Sequence, residues 1–163
     1  MYEKNIIVAL DYDDENKIYE LCNQIDPSLC RLKIGKQAFT KFGPKLVQNL
    51  QEKKFEIFLD LKFHDIPTTV YKACIEAFGL GIWMLNVHLL GGVEMVNSAR
   101  KARDEVNTEA KIIGVTLLTS TTDISLQELG LKERSDIIKE LTLIASKTNI
   151  DGVVCAPKDI SVI

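Results

Sequence analysis

The sequence contains no apolar run approaching the ~20 residues that a helix needs to cross a bilayer. A membrane partner is therefore not expected. It contains no Cys-x-x-Cys pair and no Cys/His spacing of a zinc site. Its four cysteines, Cys22, Cys30, Cys74 and Cys155, stand far apart. Each lies among apolar residues, where a reduced cysteine packs as a small hydrophobe. They are expected to be structural thiols of a reducing compartment. An excess of positive charge is also missing. Twenty Lys and Arg against 23 Asp and Glu leave a formal net charge of -3, so nothing points to a nucleic-acid partner. The opening "MYEKNIIVALD" lacks the pattern of a signal peptide, and a cytoplasmic location is expected. No Ser/Gly/Pro-rich linker or low-complexity segment divides the chain. One domain over residues 1–163 is therefore expected, with a real core.

What is present is alternation. Short apolar runs occur at Asn5–Asp11, Arg31–Gly35, Glu56–Phe63, Met84–Leu89, Lys111–Leu118 and Gly152–Ala156. Several are continuously apolar, which means burial on both faces, as in a parallel sheet. Helical patterns lie between them at Asp13–Ile25, Phe39–Lys53, Thr68–Phe78, Gly92–Val106 and Glu133–Lys147. Five strand–helix units and a sixth strand fit two architectures, a (β/α)8 barrel or an open doubly wound sheet. The phosphate fingerprint GxGxxG is absent after the first run, where "ALDYDDENK" stands. That weakens a dinucleotide-binding sheet.

The polar residues favour the barrel. Asp11, Lys33, Asp60 with Lys62, and His88 fall at the ends of the first four strands, and Thr119 with Ser120 follows the fifth. Active sites of α/β barrels sit at that carboxyl end. An open sheet binds ligands there too, but in one crevice rather than across five consecutive strands. A closed barrel needs eight strands, so strands seven and eight are not in this sequence. A six-stranded piece is expected to expose two hydrogen-bonding edges.

The densest chemistry lies in "EIFLDLKFHDIPTTV", Glu56 to Val70. Residues two apart on a strand point the same way, so Asp60 and Lys62 share a face, and Asp65 comes off the following loop. A lone Asp-x-Lys is most often a structural ion pair. Asp11 and Lys33 should reach the same mouth, however, and burying such an array without a ligand is a poor route to stability. His64 alternates with Lys62 and is read as support for a carboxylate or a backbone carbonyl. His88 reads as a satisfied core histidine, with Gly91 and Gly92 as weak candidates for anion binding. Trp83 and Met84 read as core packing.

"FLDLKFHDIPTTV" closely resembles the signature of the orotidine 5'-phosphate decarboxylases. "IIVALDYDD", "CRLKIGKQAFTKFGP", "GLGIWMLNVHLLGG", "GVTLLTS" and "DGVVCA" resemble the bacterial form along the whole chain. The resemblance implies a barrel that converts orotidine 5'-monophosphate to uridine 5'-monophosphate and carbon dioxide in pyrimidine biosynthesis. It implies no metal and no organic cofactor. Lys62 would donate the proton to C6 of the pyrimidine, and Asp60 would lie against the substrate carboxylate. Lys33 would bridge Asp60 and the ribose, and Asp11 would bind a ribose hydroxyl. Asp65, Ile66 and Thr69 would reach across a homodimer interface into the neighbouring site. Thr119 would touch the pyrimidine ring or its amide. Leu61, Phe63, His64, Pro67 and Thr68 complete the substrate-binding string. The phosphate grip would come from loops after strands seven and eight, so residues 1–163 alone are expected to bind nucleotide weakly, while the Asp60–Lys62–Asp65 array forms locally.

Two rival readings remain. The first is a magnesium-dependent 3-keto-L-gulonate 6-phosphate decarboxylase or hexulose phosphate synthase. Those enzymes share the Asp-x-Lys-x-x-Asp spacing but carry an acidic residue where this chain has Lys33, and a lysine there opposes a divalent cation. The second is a non-catalytic barrel fragment that only dimerises.

Overall fold

Six apolar runs become parallel strands, and each crossover carries a helix. The computed structural model describes residues 4–163. The strands are β1 Ile6–Ala9, β2 Cys30–Gly35, β3 Ile57–Phe63, β4 Met84–His88, β5 Lys111–Val115 and β6 Gly152–Val154. The helices are α1 Glu15–Cys22, α2 Lys36–Glu52, α3 Pro67–Gly79, α4 Gly92–Val106, α5 Asp123–Glu128 and α6 Arg134–Thr148. Short 3-10 turns follow β4 at Leu89–Gly91 and β6 at Pro157–Val162.

The sheet runs β1-β2-β3-β4-β5-β6, with every neighbouring pair parallel. This order settles the choice between architectures. A doubly wound sheet reverses its winding at a switch point, whereas here each strand is added on the same side of the last. The strands form a curled half-barrel with β1 and β6 outermost among the described residues.

The pleat divides the residues between two faces. Leu32, Ile34, Ile57, Leu59, Leu85, Val87 and Ile112 are fully buried and belong to the core cluster beneath the helices. The alternate positions Lys33, Phe58, Asp60, Met84, Asn86 and His88 face inward. At the amino end of this face Arg31 stacks on Trp83, 3.9 Å from the ring centroid. Trp83 thus serves as a platform for a guanidinium, a cation–π contact.

Local chemistry sets the helix ends. Asp14 caps α1 by accepting from the Asn16 N–H at 3.0 Å. Pro67 opens α3, where its missing N–H costs nothing. Within α2, Gly43 takes φ 64° and ψ -163°, and Pro44 follows, so the expected continuous helix is broken there. Only α4 matches its expected bounds at both ends. β5 stops at Val115 rather than Leu118, because its partner β4 ends at His88 and turns into a 3-10 segment. The sequence pattern gave no sign of α5. Its six residues are too short for periodicity, and it begins on Thr122, whose Oγ1 accepts from the Ser125 N–H at 3.1 Å. Arg134 on α6 makes a two-pronged bond to buried Asp159 at 2.8 and 3.1 Å, tying α6 to the last turn.

Leu85 lies at the centre of this core with no exposed surface. Leu85→Ala is expected to cost about 2–5 kcal/mol, since the sheet cannot close over the space left behind. Urea titration should show a lower midpoint at an unchanged slope. A loss under ~1 kcal/mol would mean that this face is loosely packed.

Candidate active site

Four charged side chains form one chain across the carboxyl ends of the first three strands. Lys33 Nζ lies 3.2 Å from Asp11 Oδ1 and 3.4 Å from Asp60 Oδ2. Lys62 Nζ lies 2.6 Å from Asp60 Oδ1. The order across the mouth is Asp11–Lys33–Asp60–Lys62, with signs alternating. The register explains the meeting of β2 and β3, because Asp60 pairs with Gly35, two residues beyond Lys33. Gly35 packs directly beside this pair. A Cβ built there would stand 3.3 Å from Asp11 Oδ1 and 3.5 Å from Lys33 Nζ, so a side chain at 35 would press on the Asp11 carboxylate.

Asp60 is the anchor. Its side chain is 12% exposed, against 30% for Lys62. Burial pushes its carboxyl up, but the Lys62 bond, the Asn86 amide and the charges of Lys62 and Lys33 outweigh it. Together they hold Asp60 below the usual carboxylate range. It is therefore an anion at neutral pH, fixed between two ammonium groups.

Lys62 does not sit in regular strand geometry. Its φ is 51°, left-handed, and the β3–β4 register shifts between Leu59 and Phe63. Asp60 and Lys62 meet, as their spacing predicts, but through a bulge rather than a flat pleat.

The other sequence candidates are distributed as follows. Asp65 is exposed, and its Oδ1 accepts from the Ile66 N–H at 2.7 Å. Among the described residues it has no ion pair with Lys62. The Asp60–Lys62–Asp65 array expected within one chain is therefore not formed. Asp65 lies past the end of β3, on the loop before α3, where its carboxylate is bonded to the Ile66 N–H. Ile66, Thr68 and Thr69 are exposed around the start of α3, and Pro67 is half-buried there. Leu61 and Phe63 turn to the opposite face, where they line an apolar cavity of about 320 Å³ with Phe39, Pro44 and Ala77. Thr119 is exposed on the β5–α5 loop and, among the described residues, makes no hydrogen bond to the charged chain.

His64 stacks on His88, with centroids 5.3 Å apart and 23° between the rings. The expected hold of His64 on a carboxylate or carbonyl is not present among the described residues. His88 is buried at the end of β4, and its Nδ1 accepts a long 3.4 Å bond from the Leu90 N–H. Burial, with the nearby charges of His64, Lys36 and Lys62, holds its imidazole below the usual histidine range. Asn86 is the residue that the sequence pattern did not single out. It donates to Asp60 Oδ1 at 2.6 Å and accepts from the Lys62 N–H at 2.8 Å. The available signal was an amide in "MLNVHL", two residues before His88 on the same inward face.

The two inward carboxylates are each bonded to a lysine, and among the described residues no three His, Cys, Asp or Glu side chains converge. Such a site offers a fixed ammonium and a fixed anion at an open mouth. It suits a reaction in which a carboxylate leaves as carbon dioxide, its bonding pair stays on carbon, and the resulting carbanion is protonated.

The family described as "Orotidine 5'-phosphate decarboxylase / HUMPS family" matches residues 4–162. A protein of Nitrosospira multiformis named orotidine 5'-phosphate decarboxylase is 50% identical over 162 residues, covering 99% of this chain and 67% of that protein. One of the same name from Saccharophagus degradans is 45% identical, covering 97% and 67%. The crystal structure of orotidine 5'-phosphate decarboxylase from Lactobacillus acidophilus superposes with a TM-score of 0.90 at 33% identity, covering 97% of this chain and 74% of that one.

Proposed function

The chain belongs to the orotidine 5'-phosphate decarboxylase / HUMPS family, and from that premise we propose that it is a carboxy-lyase acting on orotidine 5'-monophosphate. The observation that carries the reading is Lys62 Nζ held 2.6 Å from Asp60 Oδ1, with Lys33 on the other carboxylate oxygen. The C6–carboxylate bond breaks, its electron pair stays on C6, and carbon dioxide leaves. Lys62 Nζ then gives its proton to C6, forming uridine 5'-monophosphate, and recovers a proton from water.

The residue types suit that chemistry. The carbanion forms on a ring carbon without an adjacent electron sink, so a fixed ammonium must stabilise it. Opposite charges 4 Å apart gain about 4 kcal/mol at an effective dielectric of 20. Because Asp60 already fixes Lys62, little reorganisation is needed as charge develops. Asp60 would lie against the departing carboxylate, Lys33 would reach the ribose, and Asp11 would bind a ribose hydroxyl. Thr119 would touch the pyrimidine ring or its amide from the β5 side.

The magnesium-dependent relatives are not favoured. The similar proteins at 45–50% identity are named orotidine 5'-phosphate decarboxylases, and Lys33 occupies the place an acidic ligand would need. A fragment that only dimerises fits poorly with an array so complete. Residues 4–163 form one domain in this reading, since one sheet and one core cluster unite them. The phosphate grip lies outside these six strands.

The working unit in this reading is a homodimer. Asp65, Ile66 and Thr69 are exposed beside the mouth, and among the described residues the Asp65 carboxylate accepts only from its own loop, which leaves these side chains available to a neighbour's site. A cytoplasmic setting accords with four unpaired cysteines and with the lack of any described helix long and apolar enough to cross a membrane.

Full-length protein should release carbon dioxide from orotidine 5'-monophosphate at an unchanged rate in the presence of a chelator. Activity lost to the chelator and restored by magnesium would overturn this reading in favour of the gulonate-phosphate one.

A further inference from the structure

Asn86 is 1% exposed, and both ends of its amide are used at the mouth. Nothing in the reaction proposed above requires it. We propose that Asn86 is a positioning residue for proton transfer, holding the backbone of Lys62 and the carboxylate of Asp60 in one geometry through its single carboxamide. This inference rests on the decarboxylase reading.

The backbone contact comes first. β3 and β4 pair at Leu59↔Leu85, and the next pairing is Phe63↔Val87, so the ladder slips across the segment that holds Lys62. A slipped residue is left without its regular partner. The Lys62 N–H finds its acceptor in the Asn86 side chain instead, at 2.8 Å. That bond fastens Lys62 at φ 51°, a conformation that lysine rarely adopts and that the surroundings must hold.

The second contact sets the counter-ion. Asp60 Oδ1 receives both Lys62 Nζ and Asn86 Nδ2 at 2.6 Å, while Oδ2 faces Lys33. The lysine's main chain and the carboxylate holding its side chain are thus referred to one rigid amide on the neighbouring strand. An aliphatic residue at 86 would leave the Lys62 N–H without a partner and remove one of the Asp60 donors. Aspartate at 86 would keep the acceptor for Lys62 but set a second carboxylate against Asp60, and the pair would share a proton.

The groups facing Asp60 define what its titration should report. Lys62 lies on the same strand, and Lys33 faces it from β2 with Asp11 behind. From β4 come neutral Asn86 and, one inward position further on, His88, which stacks on His64 and feels Lys36. Asn86 is a donor that lowers the Asp60 carboxyl, so its loss moves that titration to higher pH.

The test uses full-length protein carrying Asn86→Ala or Asn86→Asp. The kcat should fall about tenfold to a hundredfold, the range seen when a supporting side chain is removed from a ligand that it orients. Affinity for uridine 5'-monophosphate should stay within about threefold, because the loss falls on the transition state. The acid limb of kcat/KM should move to higher pH, further in Asn86→Asp than in Asn86→Ala. Where circular dichroism shows the variant folded across the limb, a merely structural role would not move it. Carboxyl-carbon NMR of Asp60, recorded without substrate, should show the same upward displacement. An unmoved limb and an unmoved Asp60 titration would overturn the proposal, whether or not kcat falls. If the wild-type protein failed to decarboxylate orotidine 5'-monophosphate, the functional reading would fall, while the NMR titration would still decide whether Asn86 holds Asp60.

Discussion

Lys62→Ala is expected to remove turnover by about a thousandfold or more, within the range attributed to a positioned acid combined with its electrostatic role. Binding of uridine 5'-monophosphate should change far less. The proton moves only after the carboxylate has left, so the interaction lost belongs to the transition state and appears in kcat. Removing the ammonium also leaves Asp60, a buried anion, with Lys33 and Asn86 as its remaining close partners. An anionic substrate would then meet an excess of negative charge, and product binding should weaken modestly rather than improve. Single-turnover kinetics beside product titration separate the two effects. Turnover kept within about tenfold, only ~1.4 kcal/mol of barrier, would show that Lys62 is not the acid.

The second large effect is recovery of activity from two dead proteins. Asp65→Ala and Lys62→Ala homodimers should each be nearly inactive, the first because both sites lack the neighbour's carboxylate. Co-refolding equal amounts should give mixed dimers in which one site receives Lys62 and Asp65 intact and the other lacks both. Random pairing makes half the dimers mixed, so about a quarter of the wild-type rate should return. The expectation rests on where Asp65 stands. It is exposed, and among the described residues it bonds only the Ile66 N–H and forms no ion pair with Lys62. Tagged subunits purified in tandem would establish that mixed dimers form. If they form and remain as inactive as their parents, Asp65 does not serve the neighbouring site.

These two experiments also divide what could be read from the residues from what could not. The sequence determined the class of fold, because continuously apolar runs need burial on both faces and helical stripes must cover them. It determined the end of the sheet at which the charged side chains gather, since Asp11, Lys33, Asp60 and Lys62 all fall where strands finish. It also located Asp60 and Lys62 on one face, because a period of two is a local property of any strand. Tertiary structure decided the rest. Winding in a single direction, which separates a half-barrel from a doubly wound sheet, is a matter of which strands pair. The left-handed Lys62 comes from a slip between β3 and β4, and no propensity of lysine foretells it. The same slip brings the Asn86 amide to the Lys62 N–H, a partner 24 residues away that nothing in a row of apolar letters marks. Asp65 stands three residues from Lys62 in the chain, yet among the described residues it forms no ion pair with it, while Lys33, on another strand, reaches Asp60. Charge pairs at a barrel mouth are made across strands, and their partners are fixed by register, a property of the assembled sheet rather than of any one segment.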